Sequence, residues 1–385
     1  MTGFTYHTSI ALKFAKNGVG IPESLQKAIW ASLFFLLVLA AMAFPAHARE
    51  RFLVGYFPSW FEGDTANLAQ ISGGFTHVVI SFADPNFRWD GKSWTGTGLQ
   101  FSKPPLEVKA EIAGLKKRGI KVLLAVGGTS YLQWGPLAAE ASKPGPITAA
   151  LQRFLIDMAI DGIDVDYETD GSGPEQISEY RNDITALRRA AGAKILSLAA
   201  WSTGADCTQM TGAQECDGYS AAGGRTGRER LLFSLPDITR KIDMVSIMSY
   251  DAGVTNYDPV TAYALYRALL PSRIPVHIGF EPAPEGWGDA TLVRDPSAAN
   301  CVGSQIQKNQ FGVVTNKSYS VERLLKDGPF TNRPHSNPND GAMLWHIFKS
   351  PPQPPCGTAS SISSAEVVST LQHLLSQAVA QKRPK

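Results

Sequence analysis

Hydrophobic and polar positions follow one another in a repeated order from Arg51 onward. Each unit opens with a short apolar run rich in β-branched residues, continues through a polar or glycine-rich loop, and closes with an amphipathic stretch. Short apolar runs bounded by turn residues predict buried strands, and apolar residues that recur with helical spacing predict helices. The predicted strands are Phe52–Tyr56, His77–Phe82, Lys121–Val126, Gly162–Tyr167, Ile195–Ala200, Met244–Ser249, Val276–Phe280 and Ala342–Ile347. The predicted helices are Pro105–Lys117, Ile147–Ala159, Gln176–Ala191, Thr261–Leu270, Val321–Lys326 and Glu366–Gln381.

Strands that alternate with helices predict an α/β fold with a parallel sheet covered by helices on its outer face. Eight such strands favour a (β/α)₈ TIM barrel, whose active site lies at the C-terminal ends of the strands. The alternative is an open, doubly wound sheet, which would need a glycine-rich phosphate turn after the first strand. The chain has Tyr56-Phe57-Pro58-Ser59 at that point. We therefore predict a single-domain barrel.

The N-terminal segment has the pattern of a secretory signal peptide. Lys27 precedes the apolar run Ile29–Phe44, and Ala46-His47-Ala48 fits an A-x-A cleavage site. The run is short for a bilayer span, which needs about 20 residues, so we favour cleavage after Ala48 over an uncleaved membrane anchor. The predicted organisation is a signal peptide over residues 1–48 and an extracellular or periplasmic barrel domain over residues 49–385. N-terminal sequencing of the exported protein should begin at Arg49, whereas the intact segment in membrane fractions would support the anchor.

Composition and charge narrow the range of partners. The chain is 44% hydrophobic and 18% charged, which excludes collagen-like, coiled-coil and wholly disordered proteins. Its 36 Lys+Arg residues nearly balance 34 Asp+Glu residues, and residues 1–48 contain three lysines and one glutamate. A mature chain close to zero net charge has no electrostatic basis for binding nucleic acid or an anionic membrane. We predict neither partner.

Four cysteines are compatible with disulfides in an exported protein. Cys207 and Cys216 are close together in a Gly/Thr/Gln-rich stretch, which favours a bridge between them, and Cys301 would then pair with Cys356 by elimination. Metal binding is the alternative, but the sequence has no C-x-x-C motif and no histidine at ligand spacing beside these cysteines. We predict two disulfides and no metal site.

The segment Asp161–Glu168 carries the most informative chemistry. Because side chains alternate along a strand, Asp164, Asp166 and Glu168 share one face, and apolar residues occupy the other. Three carboxyl groups within about 13 Å of strand, at about 3.3 Å per residue, cannot all ionise at low cost inside a barrel. A proton is therefore held within this acidic row, as a general acid requires.

Two other readings of the acidic row are open. It could bind Ca²⁺ or Mg²⁺, but one strand lacks the encircling loop that oxygen cages use. It could also be a solvated strand face, although the flanking strand is too apolar for an exposed sheet. Catalysis is the reading that we favour.

The acidic row, D-x-x-D-x-D-x-E, resembles the signature of glycoside hydrolase family 18, the chitinases and their relatives. Lys121–Gly128 resembles the S-x-G-G motif of the third strand in that family, and Met248–Asp251 resembles its M-x-Y-D motif on the sixth strand. Gly341–Trp345 resembles its eighth strand, which ends in a tryptophan. The four matches occur in the family's order and extend over roughly Arg51–Phe348.

The sequence departs from the family pattern at two places. Position 125 is alanine where the family usually has serine, which removes a hydroxyl that would hydrogen-bond Asp164. The interval between Phe280 and Gly341 leaves little room for the additional α+β insertion of some members. We expect a barrel without a large insertion and with a relatively open cleft.

The resemblance implies a catalytic set of Glu168, Asp166, Asp164 and Tyr250. Glu168 would protonate the glycosidic oxygen and later activate water, while the N-acetyl oxygen of the substrate attacks the anomeric carbon. Asp166 would bind the acetamido N–H, Asp164 would share a proton with Asp166, and Tyr250 would hydrogen-bond the acetamido oxygen. The substrate-binding residues would be Trp345, Met248, Asp251, Tyr56 and Trp201.

The implied protein is a secreted, monomeric chitinase that needs no cofactor. It would cleave β-1,4 bonds between N-acetylglucosamine units of chitin or chitooligosaccharides by substrate-assisted, retaining catalysis. The alternatives are an endo-β-N-acetylglucosaminidase that acts on N-glycans and a chitin-binding lectin on the same barrel. Lectin relatives usually lose the acid, so the presence of Glu168 argues against the lectin.

Overall fold

The computed structural model describes residues 51–63, 66–208, 224–250, 258–281, 321–348 and 364–380 of the chain. Its centre is a closed barrel of eight parallel strands, in which each strand pairs with the next and the last pairs with the first. This confirms the predicted (β/α)₈ TIM barrel. The strands are β1 (Leu53–Pro58), β2 (His77–Ala83), β3 (Lys121–Gly127), β4 (Gly162–Asp166), β5 (Ile195–Trp201), β6 (Met244–Met248), β7 (Val276–Phe280) and β8 (Gly341–Leu344).

Helices lie between successive strands and after the last one, and each of the six predicted helices is present. Four of them begin one or two residues before the predicted start, at Ser364 and at three prolines, Pro146, Pro174 and Pro259. Proline suits this position because its φ is already helical and the first N–H of a helix needs no partner within the helix. Within the described residues the α-helices are α1 (Pro105–Lys117), α2 (Gly135–Ala138), α3 (Pro146–Asp157), α4 (Pro174–Ala191), α5 (Arg228–Phe233), α6 (Ile238–Lys241), α7 (Pro259–Leu269), α8 (Val321–Asp327) and α9 (Ser364–Ala380).

The barrel strands are buried on both faces, which explains their continuous apolar sequences. Every residue of β1, β2 and β4 is buried. Outward side chains pack against the helices and inward ones fill the barrel. A polar residue on the inward face must therefore find its partners inside the barrel.

A buried ion pair closes the end of the barrel at which the strands begin. Arg267 of α7 lies 3.1 Å from the carboxylate of Asp340, the residue before β8. It also donates hydrogen bonds to the carbonyl oxygens of Leu270, Pro271 and Ile274 in the turn before β7. This network fixes the chain where it enters β7 and β8, far from the strand ends that carry the acidic row.

Some sequence predictions concern parts of the chain outside the described residues. These are the signal peptide over residues 1–48, the absence of a large insertion in the interval that contains residues 282–320, and both disulfides, since only Cys207 is described. Cys207 is buried. No helix among the described residues is long and apolar enough to cross a bilayer.

Two buried histidines lie inside the barrel beside Phe52. The rings of His77 in β2 and His277 in β7 are 4.6 Å and 5.8 Å from the Phe52 ring. Burial, with a smaller contribution from the charge of Lys121, lowers the pKa of His77 to about 4. Burial also lowers the pKa of His277 to about 3. Both rings are therefore neutral in the folded protein at neutral pH.

These histidines predict a loss of stability in acid. Below the unfolded pKa of about 6.5, the unfolded chain binds protons that the folded chain cannot, so the free energy of unfolding falls with pH. We expect the difference in unfolding free energy between wild type and His277→Asn to fall by roughly 1 kcal/mol per pH unit between about pH 6 and 4.

Urea titration at several pH values measures this difference. His335→Asn is the matched control, because His335 is exposed and asparagine tolerates its φ of 64°. A difference between wild type and His277→Asn that does not change with pH would contradict the effect assigned to burial.

Candidate active site

A cavity of about 390 Å³ opens where the strands end. Its wall is formed by residues near the C-terminal ends of all eight strands or in the loops that follow them, as expected for a barrel of this type. Acidic and aromatic side chains dominate the wall. The lining residues are Tyr56, Phe82, Thr129, Asp166, Glu168, Ala199, Trp201, Arg225, Met248, Tyr250, Glu281 and Trp345.

The acidic row lies at the end of β4 and reaches from the barrel interior to the cavity. Asp164 and Asp166 belong to the strand, Glu168 follows two residues after it, and their exposed fractions are 1%, 3% and 8%. Asp164 lies below the cavity, where the Tyr56 hydroxyl donates to Oδ2 at 2.7 Å and the Ser197 hydroxyl donates to Oδ1. Asp166 and Glu168 line the cavity itself.

Burial and mutual repulsion raise the pKa values within the row. Burial raises the pKa of Asp164 to about 6, against the opposing effect of hydrogen bonds from Ser197 and Tyr56. The pKa of Asp166 lies well above its ordinary value, because of burial first and then the charges of Glu168 and Asp164. Both effects favour a proton within the row, and the upward shift of the pKa is well marked at Asp166.

Ser197 supplies a hydroxyl in place of the one that a serine at position 125 provides in the family pattern. Ala125 on β3 and Ser197 on β5 flank Asp164 in the strand register, one on each side. Asp164 therefore keeps a serine hydroxyl as a partner in addition to the Tyr56 hydroxyl, although Ala125 offers none. The hydroxyl comes from the strand on the opposite side of β4.

The glycines at the end of β3 hold the backbone of the acidic row. Gly127 has a φ of 112°, and a Cβ atom there would lie 2.1 Å from the carbonyl oxygen of Asp166. The N–H of Gly128 donates to that same oxygen at 2.9 Å. Glycine permits both the conformation and the close approach, so the end of β3 fixes the end of β4.

An aromatic group forms the opposite part of the cavity around Trp345, the residue after β8. The Phe82 ring stacks on Trp345 at 5.5 Å, and the Tyr56 ring meets it edge-on at 5.7 Å. Trp60 lies 6.4 Å away and is 46% exposed at the mouth. Flat rings of this kind suit the apolar faces of sugars.

Tyr250 and Met248 lie beside these aromatic rings. Both are buried residues of the cavity wall, Met248 at the end of β6 and Tyr250 two residues later. The Tyr250 hydroxyl lies 3.8 Å from the sulfur of Met343. Its ring is thus held by the inner surface of β8.

Arg225 lies over the acidic row from the side of β5. Its guanidinium is 3.1 Å from the Glu168 carboxylate and 3.1 Å from that of Asp170, which is exposed. The same group lies 4.2 Å from the ring of Trp201, an arrangement typical of a cation–π contact. Arg225 therefore contacts both an acidic and an aromatic member of the cavity wall.

The structure brings most of the predicted site residues to one cavity. Tyr56, Asp166, Glu168, Trp201, Met248, Tyr250 and Trp345 line it, and Asp164 lies directly below. Asp251 is outside the described residues. Trp134, in the loop after β3, does not line the cavity and is buried against Tyr167 at a ring distance of 5.2 Å.

Sequence reasoning missed five residues of the wall. Phe82 and Glu281 could have been found, because they lie at the ends of predicted strands. Arg225 carries no such signal, since it follows β5 at a distance that no periodicity fixes. The missed residues are Phe82, Thr129, Ala199, Arg225 and Glu281.

The family model of glycosyl hydrolases family 18 matches residues 52–269, more than half of the chain. The chain belongs to this family. The family 18 match extends from β1 to the end of α7 and includes the acidic row, Ser197, Arg225 and Tyr250.

Curated relatives of this family 18 chain align over parts of their length. Chitinase Chi52 of Paenibacillus xylanexedens is 27% identical over 126 residues, which are 32% of this chain and 23% of the relative. Chitinase D of Niallia circulans is 25% identical over 169 residues, 40% of this chain and 31% of the relative. The chain thus spans less than a third of either relative.

A solved structure supports the fold of the family 18 barrel. A GH18 chitinase from Pseudoalteromonas aurantia superimposes with a TM-score of 0.50 over 85% of this chain and 99% of that chain. The two sequences are 14% identical. At this level of identity, the likeness concerns the fold alone.

The contribution of the Ser197 hydroxyl to this family 18 barrel can be tested by removing it from β5 and then adding a hydroxyl at position 125 of β3. We expect Ser197→Ala to lower the free energy of unfolding by about 1–3 kcal/mol at neutral pH, because a buried carboxylate loses a donor. Adding Ala125→Ser to the same chain should restore much of that loss, since both positions flank Asp164.

Denaturant titration measures the three stabilities, and Ala125→Ser alone shows the effect of the added hydroxyl itself. Equal stability of wild type and Ser197→Ala would mean that the Ser197 hydroxyl contributes nothing to Asp164.

Proposed function

We propose that this family 18 protein is a secreted chitinase that cleaves β-1,4 bonds between N-acetylglucosamine units of chitin or chitooligosaccharides. The observation that carries the proposal is the acidic row, which ends in a carboxyl group at the wall of an aromatic-lined cavity. Two relatives that carry the name chitinase support the substrate class. The mechanism uses only side chains of this chain and the substrate.

Glu168 is the general acid and base of the proposed reaction. It donates a proton to the glycosidic oxygen as the bond to the anomeric carbon breaks, and it then takes a proton from the water that hydrolyses the intermediate. Arg225 lies 3.1 Å from its carboxylate. Burial and the charges of Glu168 and Asp164 raise the pKa of Asp166, which favours the proton that Asp166 shares with Asp164 and leaves Glu168 to donate its own proton and regain one from water.

The substrate supplies the nucleophile in this mechanism. The acetamido oxygen attacks the anomeric carbon and forms a cyclic oxazolinium, while the bonding electrons leave with the protonated oxygen. Asp166 binds the acetamido N–H and stabilises the positive charge, and Asp164 shares a proton with Asp166. Tyr250 binds the acetamido oxygen from the wall of β6, and water then reopens the ring with net retention.

The aromatic wall suits a sugar ring as the ligand. Trp345 lies against the apolar face of the sugar at the cleaved position, and Phe82 and Tyr56 hold the tryptophan ring in place. Met248 and Trp201 complete the wall on the side of β5 and β6. Asp251 is proposed as a further substrate contact on sequence grounds alone.

Replacement of the acid tests the proposal first. Glu168→Gln preserves the shape of the side chain but cannot donate the proton, so we expect hydrolysis of chitooligosaccharides to fall by about 100- to 10,000-fold. Glu175→Gln is the matched control, because Glu175 is exposed on α4 and should leave the rate unchanged. Product formation is measured by chromatography. Activity of Glu168→Gln within a few-fold of wild type would remove Glu168 from the mechanism.

The choice of substrate tests the nucleophile and the reaction class together. We expect turnover of fully acetylated chitin oligomers and none of an oligomer deacetylated at the cleaved sugar, because deacetylation removes the attacking oxygen. A high-mannose glycopeptide is measured beside them. Cleavage of the glycopeptide in preference to the oligomer would favour an endo-β-N-acetylglucosaminidase. Equal rates with and without the acetyl group would exclude substrate assistance.

A further inference from the structure

A second arginine lies behind the acidic row without reaching the cavity. Arg228, the first residue of α5, is fully buried. Its Nη2 donates to the carbonyl oxygen of Tyr167 at 2.9 Å, and its Nη1 donates to that of Thr169 at 2.8 Å. These two carbonyls belong to the residues immediately before and after Glu168. One side chain therefore holds the backbone on both sides of the proposed acid.

Several contacts fix Arg228 in this position. Glu229 accepts from its Nη2 at 2.7 Å and from its Nε at 3.1 Å. The guanidinium also lies 5.2 Å and 5.1 Å from the rings of Tyr167 and Tyr180, which stack on each other. Burial lowers the pKa of Arg228, but Glu229, Tyr180 and Tyr266 together outweigh burial and raise the pKa above its ordinary value, so the group stays charged.

Glu229 connects this arrangement to the end of β5. Its Oε1 lies 3.4 Å from the backbone N–H of Trp201, the last residue of that strand. Gly204 leaves room for the carboxylate, since a Cβ atom there would lie 1.8 Å from Oε2. The chain at and after the end of β5 thus accommodates the Glu229 carboxylate, which pairs with Arg228.

We propose that Arg228 is a positioning residue for the catalytic acid of this enzyme. The inference rests on the proposed role of Glu168. Glu168 lies beyond the end of β4, and among the described residues the strand pairing of β4 extends no further than Asp166. Arg228 constrains the backbone there through two carbonyl oxygens, and Arg225, three residues earlier, contacts the carboxylate itself. Arg228 acts through Glu168 and does not touch the substrate.

The experiment removes the constraint without leaving an unpaired buried charge. In the double variant Arg228→Met/Glu229→Gln both charges are absent, which avoids the large cost of an isolated buried ion. The matched control is Arg267→Met/Asp340→Asn, because Arg267 is also a buried arginine that binds backbone carbonyls and a buried aspartate, but at the other end of the barrel.

Activity per folded molecule is measured on chitooligosaccharides, with thermal unfolding to determine the folded fraction. We expect the Arg228 double variant to lose about 100-fold in kcat, the size of effect that a misplacement of about 1 Å produces, with KM within a few-fold of wild type. The control should lose stability but keep kcat within about twofold. A wild-type kcat in the folded Arg228 double variant would overturn the proposal.

The single variant Arg228→Lys covers the case in which the double variant does not fold. It keeps the charge beside Glu229, but one nitrogen replaces the two that bind separate carbonyls. We expect a smaller loss, about tenfold in kcat, and a crystal structure in which the Glu168 carboxylate is displaced relative to Asp166. A wild-type kcat together with an unmoved carboxylate would overturn the proposal.

Failure of the proposed function gives a different result. If wild type and Glu168→Gln are equally inactive on the oligomers, the assignment of the reaction fails. The position of the Glu168 carboxylate in Arg228→Lys still tests the positioning role in that case. If wild type is active and Glu168→Gln is not, the kcat of the Arg228 variants reports on Arg228 alone.

Discussion

The free-energy cost of desolvating three carboxyl groups at the end of one buried strand governs the structure around the cavity. Each carboxyl is stabilised in a different way. Asp164, the deepest, accepts hydrogen bonds from two hydroxyls on β1 and β5. Burial and its acidic neighbours raise the pKa of Asp166 well above the ordinary value, which favours its protonated form, and Glu168 pairs with Arg225 at the cavity wall. The end of β4 thereby places Asp166, whose pKa is raised, beside Glu168, the proposed proton donor.

The backbone around Glu168 is held by contacts other than strand pairing, because this residue lies two positions after the end of β4. The N–H of Gly128 binds the carbonyl of Asp166 on the side of β3, and Arg228 binds the carbonyls of Tyr167 and Thr169 from the side of β5. The two supports come from opposite neighbours of β4. The backbone around Glu168, the proposed acid, is therefore bound from two neighbouring segments, an arrangement that suits a reaction sensitive to small displacements.

Much of the barrel follows from local patterns in the sequence. Apolar runs identify strands because strands buried on both faces have few polar residues, and β7 matches its prediction at both ends. β8 ends three residues before the predicted Ile347, because Trp345 turns toward the cavity although its segment remains apolar. The acidic row was predictable because alternation along β4 places its members on one face.

The partners of the acidic row could not be predicted in the same way. Ser197 reaches Asp164 only because of the register between β4 and β5, and a slip of one residue would turn it to the outside. Ala125 alone suggested a missing hydroxyl, since the compensating residue stands on a different strand. Arg228 lies beyond a long interval after β5, and no spacing in the sequence relates it to Glu168.

Protonation of the row at neutral pH is the central claim, and infrared spectroscopy tests it directly. A buried, protonated carboxyl has a C=O stretch separate from the carboxylate bands, and the difference spectrum between wild type and Asp166→Asn isolates the row from other buried acids such as Asp183. We predict a protonated-carboxyl band at neutral pH that is absent in Asp166→Asn. A second such band should develop in wild type as the pH falls through about 6, where Asp164 gains its proton. A difference spectrum at neutral pH with carboxylate bands only would show that Asp166 is ionised and would contradict the account.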